Sequence, residues 1–381
     1  MHTRSVYLLV IAVLAVLTVG LVMLSSTGAF AADNHGDASK FLRQQSVWLA
    51  VGLVTATVAA LVDYHLWQKM WPVLLGVSIV LLVLCLPPFG HKINGSYRWI
   101  RLAGFSFQPS ELAKLACITF LAAWFAKHED KSGTFLRGFL IPGCVVGSML
   151  GLILLETDLG ASMLISATMF CVMFVAGTRL RYLIPIVLAG IVGAYVLASS
   201  MDERAGRLLA FRDLEKYKET DGLQQYAGLT ALGSGGVQGL GLGNGRQKLL
   251  YLPYAHTDFI FPVVGEELGL PFTLGIVFAY VVIIICGTYT SLCARDRFGM
   301  LLGFGCVMLV AIQAAVNIGV TTALLPNKGM PLPFVSYGGS NLCLCLLFVG
   351  IIVSIHRRSE VTSFSSMPQV LAAKTRRTIR I

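Results

Sequence analysis

The chain has 381 residues, of which 56% are hydrophobic and only 13% charged, and its formal net charge is +10. Soluble domains carry about 25% charged residues, so a soluble globular protein is excluded. The positive balance calls for no nucleic acid, because basic loops beside anionic membrane lipid account for it.

Apolar runs long enough to cross a bilayer as helices lie at about 5–27, 46–62, 70–87, 109–127, 139–155, 159–177, 182–200, 260–288, 299–322 and 338–356. They predict an all-α polytopic membrane protein with about ten transmembrane helices over residues 1–358. A polar, disordered cytoplasmic tail over 359–381 is expected to follow. Arg4, the first run and Ala29-Phe30-Ala31 imitate a cleaved signal peptide. The length of that run and the spans behind it favour a retained first helix.

Lys and Arg placement sets the orientation. With the N-terminus inside, the inner loops and termini hold about half of the 29 basic residues, Lys127, Lys131, Arg179, Arg181, Arg295 and Arg297 among them. Short outer loops hold Lys40, Arg43, Lys92, Arg98, Arg101 and Lys328. The reading is a multi-pass protein of the plasma (inner) membrane with both termini cytoplasmic. The nine cysteines fall in or beside the spans, which describes apolar packing residues and no disulfide framework.

Polar chemistry gathers on the outer side. The first segment is Pro88–Glu111, and Glu111 and Lys114 behind it share one helix face at i, i+3. A structural ion pair is the default reading there, with a place in a cavity wall as the alternative. A short turn, Glu156-Thr157-Asp158, separates spans five and six. One long extracytoplasmic loop, about 201–259, joins helices 7 and 8. Its stretch 203–217 mixes basic and apolar residues as an interfacial helix does. Its glycine-rich stretch Gly233–Gly245 is neither a P-loop nor a GxGxxG fingerprint. Any reaction must therefore draw on energy stored in the substrate or in an ion gradient. The last outer segment, Leu324–Ser340, carries Pro326, Pro331 and Pro333. Such non-helical backbone at the membrane's edge is tolerated where it lines a cavity or is buried in protein.

The stretch Tyr251–Gly269 is the most informative. It places Asp258 where a polar loop re-enters apolar sequence, a costly position for a carboxylate. On the residues alone two readings stand level: a functional carboxylate, and a cap for the helix that starts near Phe259.

Three segments, NGSYRWIRL…FQPSELAK, GLGLGNGRQKLLYLPYAHTDFIFPVVGEELG and LPNKGMPLPFVSYGGS, resemble the SEDS (FtsW/RodA/SpoVE) family of shape, elongation, division and sporulation proteins. The resemblance runs from about residue 40 to 357 with the motifs in the same order, and Asn327-Lys328-Gly329 is similar to the division branch (FtsW) more than to the elongation branch (RodA). It implies the ten-span SEDS fold and a peptidoglycan glycosyltransferase that polymerises lipid II beside a class B penicillin-binding protein and other divisome proteins. In that reaction the C4 hydroxyl of GlcNAc attacks an anomeric carbon carrying a lipid pyrophosphate, and an α-linked donor becomes a β-1,4 link. One base is needed, and cations to bear the developing charge. A second carboxylic acid is dispensable, unlike in glycosidases.

The resemblance makes Asp258 the general base, with His256 as runner-up base or substrate contact. It marks Lys328, Arg101, Arg98, Arg246 and Lys248 as candidate pyrophosphate ligands, against ordinary snorkelling at the interface. Ser336, at the start of the last span, joins the substrate-binding set. A divalent cation, Mg or Mn, is the one cofactor the chemistry leaves room for, although the sequence offers no metal cage. Asp158 and Glu266-Glu267 match family motifs and are read as structural.

The chain departs from the family pattern at four places. Thr157 stands for a usual proline, Ala227-Gly228 for Gln-Ser, Gly245 for serine and Tyr254 for glutamate. Loss of that glutamate predicts a lower Asp258 pKa than in relatives. Alternatives from other classes are a lipid II flippase and a scaffold that activates its transpeptidase partner. An elongation-type polymerase is the alternative within the class.

Overall fold

A computed structural model describes residues 2–28, 40–87, 97–102, 105–199, 202–247 and 256–378. The elements in order are α1 (His2–Gly28), α2 (Lys40–Leu61), α3 (His65–Cys85), β1 (Ile100–Leu102), β2 (Phe105–Phe107), α4 (Pro109–Lys127), α5 (Ile141–Leu155), α6 (Leu159–Val175), α7 (Leu180–Ser199), α8 (Asp202–Arg212), α9 (Leu223–Gly235), α10 (Ile260–Leu268), α11 (Leu270–Leu292), α12 (Arg297–Thr321) and α13 (Gly339–Thr378). Seven of these, α1–α4 and α11–α13, contain segments long and apolar enough to cross a membrane, an eighth such segment runs from Leu136 through α5 to Leu155, and α6 and α7 carry shorter apolar helices. The chain is an all-α multi-pass membrane protein of about ten apolar helices, as the hydropathy predicts.

α4 and α12 form the centre. α4 is buried almost all round and packs on α3, α6 and α12, while α12 also contacts α11 and α13. A helix that is apolar on every side belongs at such a centre. α2 and α3 keep broad apolar faces outward, including Val51, Val54, Val58, Val73, Val77 and Val80, as lipid-facing helices do.

The structure departs from the hydropathy reading in several places. The run 260–288 is not one span. It breaks at Gly269, where φ is +77°, a conformation that favours glycine. A Cβ at Gly269 would also strike the Val237 carbonyl. The break makes α10 a short separate helix, buried along most of its length and packed on α9. The expected interfacial helix at 203–217 is shorter, because α8 ends at Arg212 and turns run on to Gly222. Helix α9 and the antiparallel hairpin β1–β2, with Arg101 opposite Ser106, were not anticipated. α13 continues to Thr378, through much of the segment expected to be a disordered tail.

The glycine-rich loop folds back over α10 because two buried carboxylates collect its amides. The Arg246 amide donates to Glu266 Oε1 (2.7 Å) and the Gly243 amide to Glu267 Oε2 (2.8 Å). Ser26 of α1 donates to Glu267 as well (2.8 Å). This agrees with a structural role for Glu266-Glu267. A Cβ at Gly245 would come within 2.8 Å of Glu267 Oε1, so the serine usual at that place would crowd these carboxylates.

Candidate active site

Asp258 lies in the turn just before α10. That helix has Phe259 as its N-cap residue and no side-chain cap, so the Asp258 carboxylate is not spent as a cap. Instead the turn is stitched to the segment 327–337. Asn317 of α12 donates through Nδ2 to the Asp258 carbonyl (2.8 Å) and to the Met330 carbonyl (2.6 Å). The Ser336 hydroxyl donates to the Thr257 carbonyl (2.5 Å) and accepts from the Leu332 amide (2.8 Å). The Tyr337 amide donates to the His256 carbonyl (3.0 Å). One helical turn before Asn317, Gln313 donates to the Pro331 carbonyl (2.8 Å). The irregular backbone at 327–337 therefore finds its partners inside the protein, as it must at membrane depth.

The Asp258 residue keeps partial solvent access, yet its carboxyl stands deep among protein atoms. Burial pushes it up to about 6, against the opposing pull of Arg98 and Lys328. These two cations reach the site from different elements. Arg98 precedes β1, and its guanidinium lies 3.7 Å from Asp158 Oδ1. Asp158 also caps α6 by accepting from the Ala161 amide (3.1 Å) and accepts from the Gln108 amide group (3.0 Å). It thus serves as the anchor that places Arg98. Lys328 runs over Gly160 at the start of α6, where an added Cβ would lie 2.9 Å from its Cε.

Beside this anchor, Glu156 is fully buried, and neither of its carboxylate oxygens has a hydrogen-bond partner among the described residues. Burial and the Asp158 charge raise it to about 8, with Arg98 opposing. The next residue, Thr157, has φ +64°, which proline cannot adopt. The turn here therefore differs from one built on the family's usual proline.

Of the candidate substrate-binding residues, Arg98 and Lys328 are brought to Asp258. His256 packs against Phe41 with ring centroids 4.5 Å apart and against Tyr337 at 6.0 Å. Ser336 is buried and holds the turn rather than presenting its hydroxyl. Arg246 is exposed, and its amide is fixed by Glu266. Arg101 sits on β1, and its side chain, like Lys248 and Tyr254, falls outside the described residues. Among the described residues no three His, Cys, Asp or Glu side chains stand together as metal ligands do. A divalent ion held by one or two carboxylates together with substrate phosphates needs no such cluster.

Glu111 and Lys114 form a buried ion pair at 2.7 Å. Asn341 of α13 donates to the other Glu111 oxygen (3.2 Å), and Gln313 donates to Asn341 (3.2 Å). The pair thus joins the polar chain that reaches the 327–337 segment through Gln313. Gln225 of α9 clamps the far end of α12 by donating to the Val320 (2.9 Å) and Leu325 (2.8 Å) carbonyls. Asn317, Gln313, Asn341 and Gln225 escaped the sequence reading. The available signal was Gln313 and Asn317 at i, i+4 inside an apolar run, since polar side chains at membrane depth face a polar interior.

A family model described as "Cell cycle protein" (FtsW/RodA/SpoVE) matches residues 7–361. The chain is 39% identical over 345 residues to the probable peptidoglycan glycosyltransferase FtsW of Geobacter metallireducens, covering 90% of this chain and 92% of that one. It is 37% identical over 355 residues to stage V sporulation protein E of Bacillus subtilis, covering 93% and 97%. Among solved structures it is similar to a chain of a peptidoglycan synthase complex that coordinates polymerization and crosslinking, with TM-score 0.76, 27% identity and coverage of 92% and 97%. It is also similar to the rod-shape-determining protein RodA of Thermus thermophilus, with TM-score 0.69, 28% identity and coverage of 92% and 96%. The motif resemblance, the helical architecture and these matches agree: the chain belongs to the FtsW/RodA/SpoVE (SEDS) family.

Proposed function

We propose that this protein is a peptidoglycan glycosyltransferase that polymerises lipid II into β-1,4 glycan strands, acting in septal wall synthesis during division. The observation that carries this reading is Asp258: a partly exposed residue whose carboxyl is set deep among protein atoms, is not spent as a helix cap and lies under the pull of two cations, Arg98 and Lys328. Asp258 takes the proton from the C4 hydroxyl of the acceptor GlcNAc. The oxygen attacks the anomeric carbon of the donor and inverts it, and the bond to the lipid pyrophosphate breaks. The pyrophosphate leaves as an anion, so no second acid is required. Lys328 and Arg98 bear its developing charge, and preorganised cations of this kind act strongly where water is scarce. Asp158 keeps Arg98 in place throughout.

The basic inner loops support cytoplasmic termini and a site on the extracytoplasmic face. That orientation suits a reaction without a nucleotide. A class B penicillin-binding protein is the proposed partner, supported by the likeness to a chain from a synthase complex that couples polymerization to crosslinking. A flippase would place ionisable groups along several spans near the midplane. Here the site charges cluster at one end of the bundle, and Glu111 and Lys114 neutralise each other.

The test is to supply lipid II to the protein purified with its partner and to look for glycan polymer from wild type and from Asp258→Asn. Polymer from wild type alone supports the reading. Equal polymer from both removes Asp258 as the base, and transport of lipid II without polymer favours the flippase.

A further inference from the structure

Two segments must be held in register for the chemistry above, and they lie far apart in sequence: the turn that carries Asp258 and the loop that carries Lys328. One side chain touches both. Asn317 is 2% exposed, and its single amide nitrogen donates to the carbonyl of residue 258 at 2.8 Å and to that of residue 330 at 2.6 Å. An amide nitrogen has two protons, and both are used. The orientation of the amide is not ambiguous, since a flipped group would put its oxygen against two carbonyl oxygens.

The cost of this arrangement falls on the other atom. Asn317 Oδ1 is buried and has no hydrogen-bond partner among the described residues. Gln225 closes two carbonyls in the same manner and likewise leaves its Oε1 without a partner among the described residues, but neither of its carbonyls belongs to the turn that carries Asp258. Asn317 is itself firmly placed. It is buried in α12, and its own carbonyl accepts from Thr321 Oγ1 (2.9 Å).

We infer that Asn317 is a positioning residue for the transfer reaction, and that its amide sets the separation between the Asp258 base and the Lys328 cation. It touches neither substrate nor reacting atoms. It acts by fixing the peptide carbonyl of the base itself and the carbonyl two residues beyond the lysine. Without it, both carbonyls lose their donor, and the loop is free to draw Lys328 away from Asp258. The base would then lose one of the two positive charges that favour its ionised form. Gln313 makes a useful control. It hangs the same loop on α12 through Pro331 but does not reach Asp258.

This inference rests on the glycosyltransferase reading, and the experiment separates the two. Polymerisation of lipid II is followed against pH for wild type, Asp258→Asn, Asn317→Leu and Gln313→Leu, each purified with the transpeptidase partner. Polymer from wild type and little from Asp258→Asn establishes the reading first. Asn317→Leu keeps the branching of the side chain and removes both donated bonds. It should lower kcat about tenfold or more, because small displacements of reacting groups are costly, and it should move the acid limb of the profile to higher pH. The acid limb decides. If Asn317→Leu is folded and its limb coincides with that of wild type, the inference is overturned, whatever happens to kcat. The same holds if Gln313→Leu moves the limb equally. If Asn317→Leu does not fold, Asn317→Ser takes its place, since a serine hydroxyl can bond within its own helix. Should that fail too, wild type is read directly by NMR of the Asn317 side-chain amide. Slow exchange with solvent and shifts that follow the acid limb support the inference; fast exchange overturns it.

Discussion

Gly329 faces the Asp258 carboxylate so closely that a Cβ on Gly329 would collide with Oδ2. The glycine of Asn327-Lys328-Gly329 therefore makes room for the carboxylate proposed as the base, which lies about seventy residues earlier in the chain. The residue is otherwise exposed, so a methyl group there has room to be accommodated by local movement. Gly329→Ala should fold normally and lose activity by roughly tenfold to a hundredfold, because it displaces either the carboxylate or Lys328. The measurement is polymer yield from lipid II beside a thermal midpoint. A midpoint like that of wild type with unchanged activity would show that the base does not stand where this contact puts it.

The pH dependence follows from the same carboxylate. As the proposed base, Asp258 would act only when ionised, and burial raises it from 3.8 to about 6. Activity should therefore rise with pH through about 6, while Asp258→Asn should lose on the order of a hundredfold or more. Stability runs the other way. The folded state binds the proton more tightly than the unfolded chain, so this group's stabilising contribution is full below 3.8 and is lost as pH rises through about 6. Lys328→Met and Arg98→Gln each remove a charge that favours ionisation, and each should carry the acid limb to higher pH. Tyr254→Glu should do the same by bringing back a like charge. A limb that moves to lower pH in that variant would refute the expectation drawn from the missing glutamate.

The sequence made the all-α membrane architecture legible because ten long apolar runs leave no other way to satisfy their backbone. Asp258 was legible as a costly carboxylate, and its motif named a role for it. What stayed hidden was whatever depends on contacts between distant segments. Hydropathy averages over Gly269 and so joined α10 to α11, although the break is what buries α10 beside α9. Ser336 read as a substrate contact because its motif lies at the site, but its hydroxyl is consumed by Thr257 and Leu332. Asn317 and Gln313 did not register because two amides barely lower the hydropathy of a long apolar helix. Their meaning lies in which carbonyls they meet, and no periodicity reports that.

The buried pair Glu111–Lys114 should be intolerant of single changes. Both side chains are nearly inaccessible, and their charged atoms are 2.7 Å apart. Glu111→Gln leaves a buried ammonium without its counter-charge, and Lys114→Met leaves a buried carboxylate with only Asn341. Removing one member of such a pair costs about 3–5 kcal/mol, whereas replacing both with apolar groups of similar volume is often close to neutral. The double variant Glu111→Leu with Lys114→Met should therefore recover folded protein that the single variants lose, as read by monodispersity and thermal midpoint in detergent. If the double variant folds but makes no polymer, the pair contributes to the site as well as to the bundle.

The turn that anchors Arg98 carries two separate burdens, and each can be lifted alone. Thr157 occupies the left-handed region at φ +64°, which costs a non-glycine residue of order 1–2 kcal/mol. Thr157→Gly should raise stability by up to about 1 kcal/mol, since glycine's larger unfolded-state freedom offsets part of the relief. Thr157→Pro cannot reach that φ and also loses the Thr157 amide bond to the Leu154 carbonyl (3.0 Å). It should destabilise by about 3 kcal/mol unless the turn rebuilds itself, and with it the position of Asp158 and Arg98. Glu156 is the second burden. Its folded-state value of about 8 lies above its ordinary 4.5, so the protein favours the neutral carboxyl. The associated stability is present below 4.5 and is lost as pH rises through about 8. Glu156→Gln keeps the shape and stays neutral, so it should flatten the fall in thermal midpoint across that window while leaving activity near neutral pH within about twofold. A variant whose midpoint falls with pH as steeply as wild type would mean that Glu156 is ionised in the folded protein and that Arg98 is shared between two carboxylates at all times.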